Sequence, residues 1–209
     1  MQLFTLRPVL PFVALLATAC GGGGGGDGST AGAQTFCADA VFPDTATSPC
    51  VLPYSPGVSY VMFQGNCSEL GGHRETFAYD FSHAMGDPVA ASRAGAVIIV
   101  NDGFSDDDHI EGHENNVFVQ HDDGTVVRYT HLMEGSATVT VGQQVAPGDL
   151  LGLAGNSGNS SGPHLHFQAF QGRNFDKSNA VPVTFRNAIG TTRASGELIE
   201  GERYEAGDL

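Results

Sequence analysis

His164 and His166 lie two residues apart in Gly-Pro-His-Leu-His-Phe, directly after a Gly/Ser/Asn-rich turn. Successive side chains of a strand point to opposite faces, so both imidazoles project one way while Leu165 and Phe167 face a core. Two imidazoles on one sheet face can hold a divalent ion and serve the water beside it. An isolated pair could equally be two solvated histidines, so the weight comes from company. His73 precedes Asp80 within Gly-Gly-His-Arg-Glu-Thr-Phe-Ala-Tyr-Asp-Phe, and His131 ends Arg-Tyr-Thr-His. Two His and one Asp around zinc make a singly positive site with one coordination position open. Zinc in such a site lowers the pKa of water from about 15.7 to about 7. A neighbouring imidazole can then take a proton, and another can stabilise a developing oxyanion or protonate a leaving amine.

Three distant segments must therefore be brought side by side, which is work for a sheet. Glycine is abundant (29 residues) and charged residues make up only 15%. With Val, Thr and Phe and no long helical pattern, this composition predicts an all-β, turn-rich domain with few or no helices. Residues 58–63 read as an entry strand. Residues 88–100 read as a turn at Ala94-Gly95 followed by a buried run. Residues 101–115, with Asp106, Asp107 and Asp108 in a row, read as an exposed loop. Residues 116–132 read as a hairpin turning at Asp123-Gly124. Residues 139–155 alternate apolar residues with glycine turns, as strands folding back on a small core do. Residues 181–185 form one further strand, and the last dozen residues, polar and acidic, form a solvated end.

The chain of 209 residues suits one domain with appendages. Its net charge of −14 argues against nucleic-acid binding, which needs a basic footprint. Residues 1–19 have the apolar run of an export signal, too short to span a bilayer. They end Leu16-Ala17-Thr18-Ala19 before Cys20, which resembles a bacterial lipoprotein signal and predicts a lipid on Cys20, although Ala17-Thr18-Ala19 also fits an ordinary export cleavage site that leaves Cys20 free to pair. Residues 20–34 form a Gly-rich flexible linker with a reach of roughly 20 Å. Residues 35–68 form a Cys- and Pro-bearing extension, 69–190 the main domain and 191–209 an acidic tail. Export implies an oxidising compartment, and a short Cys37–Cys50 disulfide is the preferred pairing over those with Cys67. There is no Cys-x-x-Cys spacing for a thiolate zinc site.

Other histidines carry weaker signals. His109 and His113 flank a glutamate, but not at the spacing of a His-Glu-x-x-His helix, and a solvated loop is expected there. His121, before Asp-Asp-Gly, is expected at an exposed turn. Asp106 to Asp108 lack the spacing of a calcium loop. Asn116 is either a strand-start asparagine or a residue near a substrate.

Gly-Pro-His-Leu-His-Phe, Tyr-Thr-His-Leu and an upstream His followed by Tyr-Asp-Phe, in that order, resemble the lysostaphin-type (LytM-like) zinc endopeptidases that cut peptidoglycan peptides. The resemblance runs from about Val51 to Phe170, more loosely to Phe185. It implies an antiparallel β-sheet with an open active-site groove. It implies that His73, Asp80 and His166 bind one Zn2+, and that His131 and His164 act on the activated water and the transition state. Many members separate the first histidine from the aspartate by three residues, whereas six intervene here. His83 is the local competitor, but His73 lies before the aspartate strand, as the family's histidine does. With Cys20 lipidated, the protein is expected at the outer membrane facing the periplasm, and that compartment alone favours a D-alanyl–diaminopimelyl bond over a glycine bridge; otherwise it is expected to be periplasmic or secreted. A regulatory protein partner fits either place. The rival expectation is a catalytically inactive relative that binds wall and activates another hydrolase.

Overall fold

Short runs of apolar residues, each closed by glycine or aspartate, leave no length for helices and pair instead as strands. The computed structural model of the chain describes residues 37–69 and 71–209. The expected signal segment, Cys20 and the linker over 20–34 lie outside the described residues. Eleven strands are described: β1 (Ser59–Gln64), β2 (Tyr79–Phe81), β3 (Pro88–Ala90), β4 (Gly95–Asn101), β5 (Asn116–Gln120), β6 (Val126–Thr130), β7 (Gln144–Val145), β8 (Leu150–Leu153), β9 (Leu165–Phe170), β10 (Ala188–Ile189) and β11 (Arg203–Ala206). Nine of them form one sheet in the order β10-β11-β1-β2-β9-β6-β5-β4-β7, and β3 and β8 pair separately. All these pairings are antiparallel. The all-β expectation holds, with no helix of seven residues or more among the described residues. No helix among the described residues is long and apolar enough to cross a membrane.

Alternation along the central strands separates the two faces. Tyr79, Phe81, Val127, Tyr129, Leu165, Phe167 and Ala169 enter one core behind the sheet. Asp80, Arg128, Thr130, His166 and Gln168 stand on the other face, at paired register positions. The buried tyrosines keep their hydroxyls satisfied. Tyr79 donates to the Val183 carbonyl at 3.1 Å, and the Tyr129 oxygen accepts from the Ser92 N–H at 2.7 Å. The hairpin over 116–132 forms as expected, with Gly124 at φ +83° in its turn.

Four expectations are corrected. Residues 181–185 form no strand: the Val181 N–H donates to the Ala169 carbonyl, and Phe185 enters the core as irregular chain. The disulfide joins Cys37 to Cys67, with Cα atoms 6.2 Å apart. Cys50 is instead buried in the core as a free thiol, and burial raises its pKa. Phe42, edge-on against Phe77, packs on the same small apolar cluster as Cys67. The solvated end expected over the last dozen residues contains β11, which pairs with β1 and buries Tyr204 completely. His121 is buried rather than exposed, its Nδ1–H donating to the Ala94 carbonyl at 2.8 Å.

Candidate metal centre

Antiparallel register sets Asp80 on β2 directly opposite His166 on β9. Both side chains leave the sheet on the polar face, so the two donors meet without any loop to align them. His73 arrives from a single 3-10 turn, Gly71–His73. Gly71 enters that turn at φ +67°, a conformation that costs glycine little. The three donors cluster tightly, with ligand atoms all within 4.8 Å of one another. His73 Nε2 lies 3.2 Å from Asp80 Oδ2, and His166 Nδ1 lies 2.9 Å from Asp80 Oδ1. The two imidazole nitrogens are 3.1 Å apart.

These separations fit a zinc ion. Bonds of about 2.0–2.1 Å in a tetrahedron put ligand atoms roughly 3.3 Å from each other. The donor chemistry fits as well. His73 Nδ1 faces the Gly65 carbonyl at 3.0 Å, and a carbonyl can only accept. The proton therefore sits on Nδ1, and Nε2 turns a bare lone pair toward Asp80 and His166. Burial opposes charge on Asp80, but the His166 and His73 imidazoles outweigh it and hold the carboxyl well below the usual carboxylate range. Burial also pushes the His166 pKa down against the pull of Asp80, favouring the neutral imidazole that ligation needs.

His131 and His164 face the same place from the next segments. Their rings are 4.5 Å apart, and His131 is 6.1 Å from His166. Residues 154 and 155 string them together: Ala154 bridges Leu132, Gly155 bridges His164, and the Gly155 N–H donates to the His131 carbonyl at 2.8 Å. A side chain at Gly155 would collide with the Met133 backbone and the Asp106 carboxylate. His131 itself adopts φ +63°, an unusual conformation for a non-glycine residue and one that marks stored backbone strain. Its Nδ1–H donates to the Ser157 carbonyl at 2.8 Å, and the Nδ1–H of His164 donates to the Gly162 carbonyl at 2.9 Å. Each ring is thus left with an unprotonated Nε2, and that of His164 lies 3.9 Å from Asp80 Oδ1. Burial, reinforced by His164 and His166, pushes the His131 pKa down to about 3, so this ring is neutral at physiological pH.

The other candidates do not join this set. His83 stacks on Tyr60 at 3.8 Å and is not among the clustered donors. His113 stacks on Phe104 and pairs with Asp108 at 2.8 Å. His109 and Asp106 tie the loop 102–115 to the loop 155–163, through the Ser160 carbonyl and the Asn156 N–H. Asn116 hydrogen-bonds Asn101 across the strand pair. Sequence reasoning missed Ser157 and Asn115. The Ser157 hydroxyl donates to the Leu132 carbonyl and accepts from the Asn115 N–H, which positions the carbonyl that orients His131. It also missed Arg128, Gln168 and Thr76 beside His166. The only sequence signal for Gln168 was its i+2 spacing from His166 on one strand face. Phe63, 43% exposed, packs edge-on against His164.

The family model of peptidase family M23 matches residues 74–180, more than half of the chain. The match takes in Asp80, His131, His164 and His166 and starts one residue after His73. The peptidoglycan DD-endopeptidase ShyA of Vibrio cholerae is 36% identical over 90 residues, covering 43% of this chain and 19% of its own length. Lysostaphin of Staphylococcus simulans is 32% identical over 123 residues, covering 58% of this chain and 23% of its own length. The chain therefore spans about a fifth to a quarter of the length of these relatives. Among solved structures, the deep-sea M23 metalloprotease pseudoalterin aligns with a TM-score of 0.50 at 22% identity. That alignment covers 77% of this chain and 96% of pseudoalterin, a likeness of fold.

Proposed function

Because the chain belongs to peptidase family M23, we propose that it is a zinc-dependent endopeptidase hydrolysing peptide cross-links or stem peptides of bacterial peptidoglycan. One observation carries the reading: His73, Asp80 and His166 turn their ligand atoms on a single point, with the bare nitrogens of His131 and His164 beside it. ShyA, a peptidoglycan DD-endopeptidase, makes the D,D cross-link the first bond to test.

In this reading His73 Nε2, the Asp80 carboxylate and His166 Nδ1 hold one zinc ion. Zinc bound there supplies a Lewis acid for the scissile carbonyl and lowers the pKa of water. His164 Nε2, the nearer of the two free imidazole nitrogens to Asp80, takes the proton of the attacking water and returns it to the leaving amine. His131 stays neutral, accepts a hydrogen bond at Nε2 and orients that water. The Gly162 and Ser157 carbonyls keep both rings in the tautomer these tasks require. Phe63 lines the approach to His164 and excludes water from one side of it.

Mass spectrometry of wall fragments after digestion by the full chain tests the assignment. The expected products are monomers from muropeptide dimers, or shortened stem peptides. His166→Ala and His164→Ala should each remove them, the second at a cost of about 10²–10⁴ in rate. Dimers left intact by the zinc-supplemented wild type would reject the endopeptidase reading in favour of a wall-binding role.

The chain acts outside the cytoplasm in this account. The Cys37–Cys67 disulfide suits an oxidising compartment. Leu16-Ala17-Thr18-Ala19 supports a lipid on Cys20, and the outer membrane facing the periplasm is the location proposed for it. The wild type should partition with membranes and Cys20→Ala should be released to the soluble fraction. Equal partitioning of the two would remove the anchor from the account.

A further inference from the structure

We propose that Asp106 is a positioning residue for the paired histidines: its carboxylate clamps together the two backbone segments that carry His131 and His164. The inference rests on the reading of those two histidines as the groups that act on the attacking water. It concerns a loop that contributes no donor to the metal centre.

Each carboxylate oxygen takes a backbone N–H from a different segment. Oδ2 accepts from Glu134 at 3.0 Å, and Oδ1 accepts from Asn156 at 2.8 Å. A backbone N–H can only donate, so both bonds have a fixed sense and both oxygens act as acceptors. Glu134 stands just past His131-Leu132-Met133, and Asn156 follows Gly155. The two segments also meet directly. The Gly155 N–H donates to the His131 carbonyl and the Met133 N–H to the Leu153 carbonyl, each at 2.8 Å. Gly155 in turn bridges His164. One side chain thus fastens from outside the same pair of segments that these backbone bonds join from within.

His131 needs that support. Its φ of +63° is unusual for a residue with a side chain, and such strain persists only where the surroundings over-determine it. Gly155 supplies the room for the clamp, since a Cβ there would meet the Asp106 carboxylate. Asp106 is itself held by the foot of its loop. Asn115, completely buried, accepts from the Phe104 N–H at 2.9 Å and donates to the Phe104 carbonyl at 2.8 Å and the Leu132 carbonyl at 3.2 Å. His109 adds a second tie, its Nδ1–H donating to the Ser160 carbonyl at 3.2 Å. Of the three consecutive aspartates, Asp107 is exposed and Asp108 pairs with His113, so the reach across both histidine segments belongs to Asp106. Asp102, on the same loop, accepts from the Ser136 and Ala137 N–H groups and holds the turn after His131 without spanning to the segment before His164.

The test compares Asp106→Ala, Asp106→Asn and Asp102→Ala in the zinc-supplemented full chain. Three quantities are read: kcat and KM on purified muropeptide dimers, zinc affinity by competition with a chromophoric chelator, and hydrogen exchange of the Gly155 amide. Asp106→Ala should lower kcat about 10²-fold through misplacement of the two rings, with KM and zinc affinity near wild type. Asp106→Asn keeps the size and one acceptor oxygen and should lose less, which carries the comparison if the alanine variant does not fold. Asp102→Ala loosens the same loop without cutting the clamp and should keep kcat. Exchange at Gly155, whose own bond goes to the His131 carbonyl, should speed up in the Asp106 variants and not in Asp102→Ala. Wild-type kcat in folded Asp106 variants would overturn the proposal, as would unchanged exchange at Gly155. An equal loss of kcat in Asp102→Ala would overturn it too, by tracing the effect to general loosening of the loop. A wild type that cleaves no dimers would instead defeat the functional reading, and exchange at Gly155 would still decide whether Asp106 holds the two segments together.

Discussion

Four imidazoles crowd around one carboxylate, and burial pushes the pKa of two of them, His131 and His166, down. Backbone carbonyls of Gly65, Ser157 and Gly162 each accept an Nδ1–H, from His73, His131 and His164, and so fix how those rings are turned. The histidines and Asp80 were legible in the sequence because their motifs are short, local and spaced for a strand. Gln168, Arg128 and Thr76 were not, since a polar residue on a strand looks the same whether it meets solvent or a metal-binding imidazole. His121 went astray in another way: a histidine near a turn reads as exposed, and only packing shows that it is buried.

His83 gives a residue-scale prediction. Burial holds its pKa down to about 4, while in an unfolded chain it titrates near its ordinary 6.5. Between those two values the unfolded state binds the extra proton, so stability falls as pH drops from about 6.5 toward 4. The loss from this one group approaches about 3 kcal/mol at pH 4. Its Nε2 has no hydrogen-bond partner among the described residues, and its ring stacks on Tyr60. His83→Phe should keep the stack and flatten that acid limb in melting curves taken from pH 7 to 4. A variant as acid-sensitive as the wild type would place the burden on other groups.

Among the elements, β9 and the β5–β6 hairpin were readable because alternation and the Asp123-Gly124 turn agree with each other. The edge formed by β10 and β11 was not. Arg203-Tyr-Glu-Ala is polar at every second residue, and the alternating burial of Tyr204 and Ala206 becomes visible only once β1 offers a partner. The disulfide was misassigned for a similar reason. Sequence distance favours Cys37–Cys50, but Cys50 is taken into the core, and the sheet returns Cys67 to Cys37. That bond closes a separation of 30 residues in the segment just before His73. By loop entropy it should contribute about 3–4 kcal/mol. Reduction, or Cys67→Ser, should lower the melting temperature and weaken zinc binding together, because the turn bearing His73 loses its upstream anchor. Lost stability with unchanged zinc affinity would show that the turn is held by the sheet alone.

At the scale of the whole molecule, one sheet divides two kinds of chemistry by the parity of its strands. Tyr79, Phe81, Leu165 and Phe167 build the core, and the residues between them, Asp80 and His166, build the site. A one-residue slip of β9 would exchange the two sets, so fold and activity are specified by the same register. The net charge of −14 lies elsewhere, much of it in exposed loops such as residues 102–115, and leaves a small cationic centre once an ion is held. That charge argues against attraction to anionic polymers by general electrostatics, and under the proposed function it leaves recognition to local contacts such as Phe63 beside His164.

Equilibrium dialysis of the full chain against zinc, with metal content counted per chain, reaches the centre of this account most directly. Wild type and His164→Ala should each retain one ion, and Asp80→Asn and His166→Ala should lose it. Zinc retained undiminished by His166→Ala, or absent from the wild type, would contradict it.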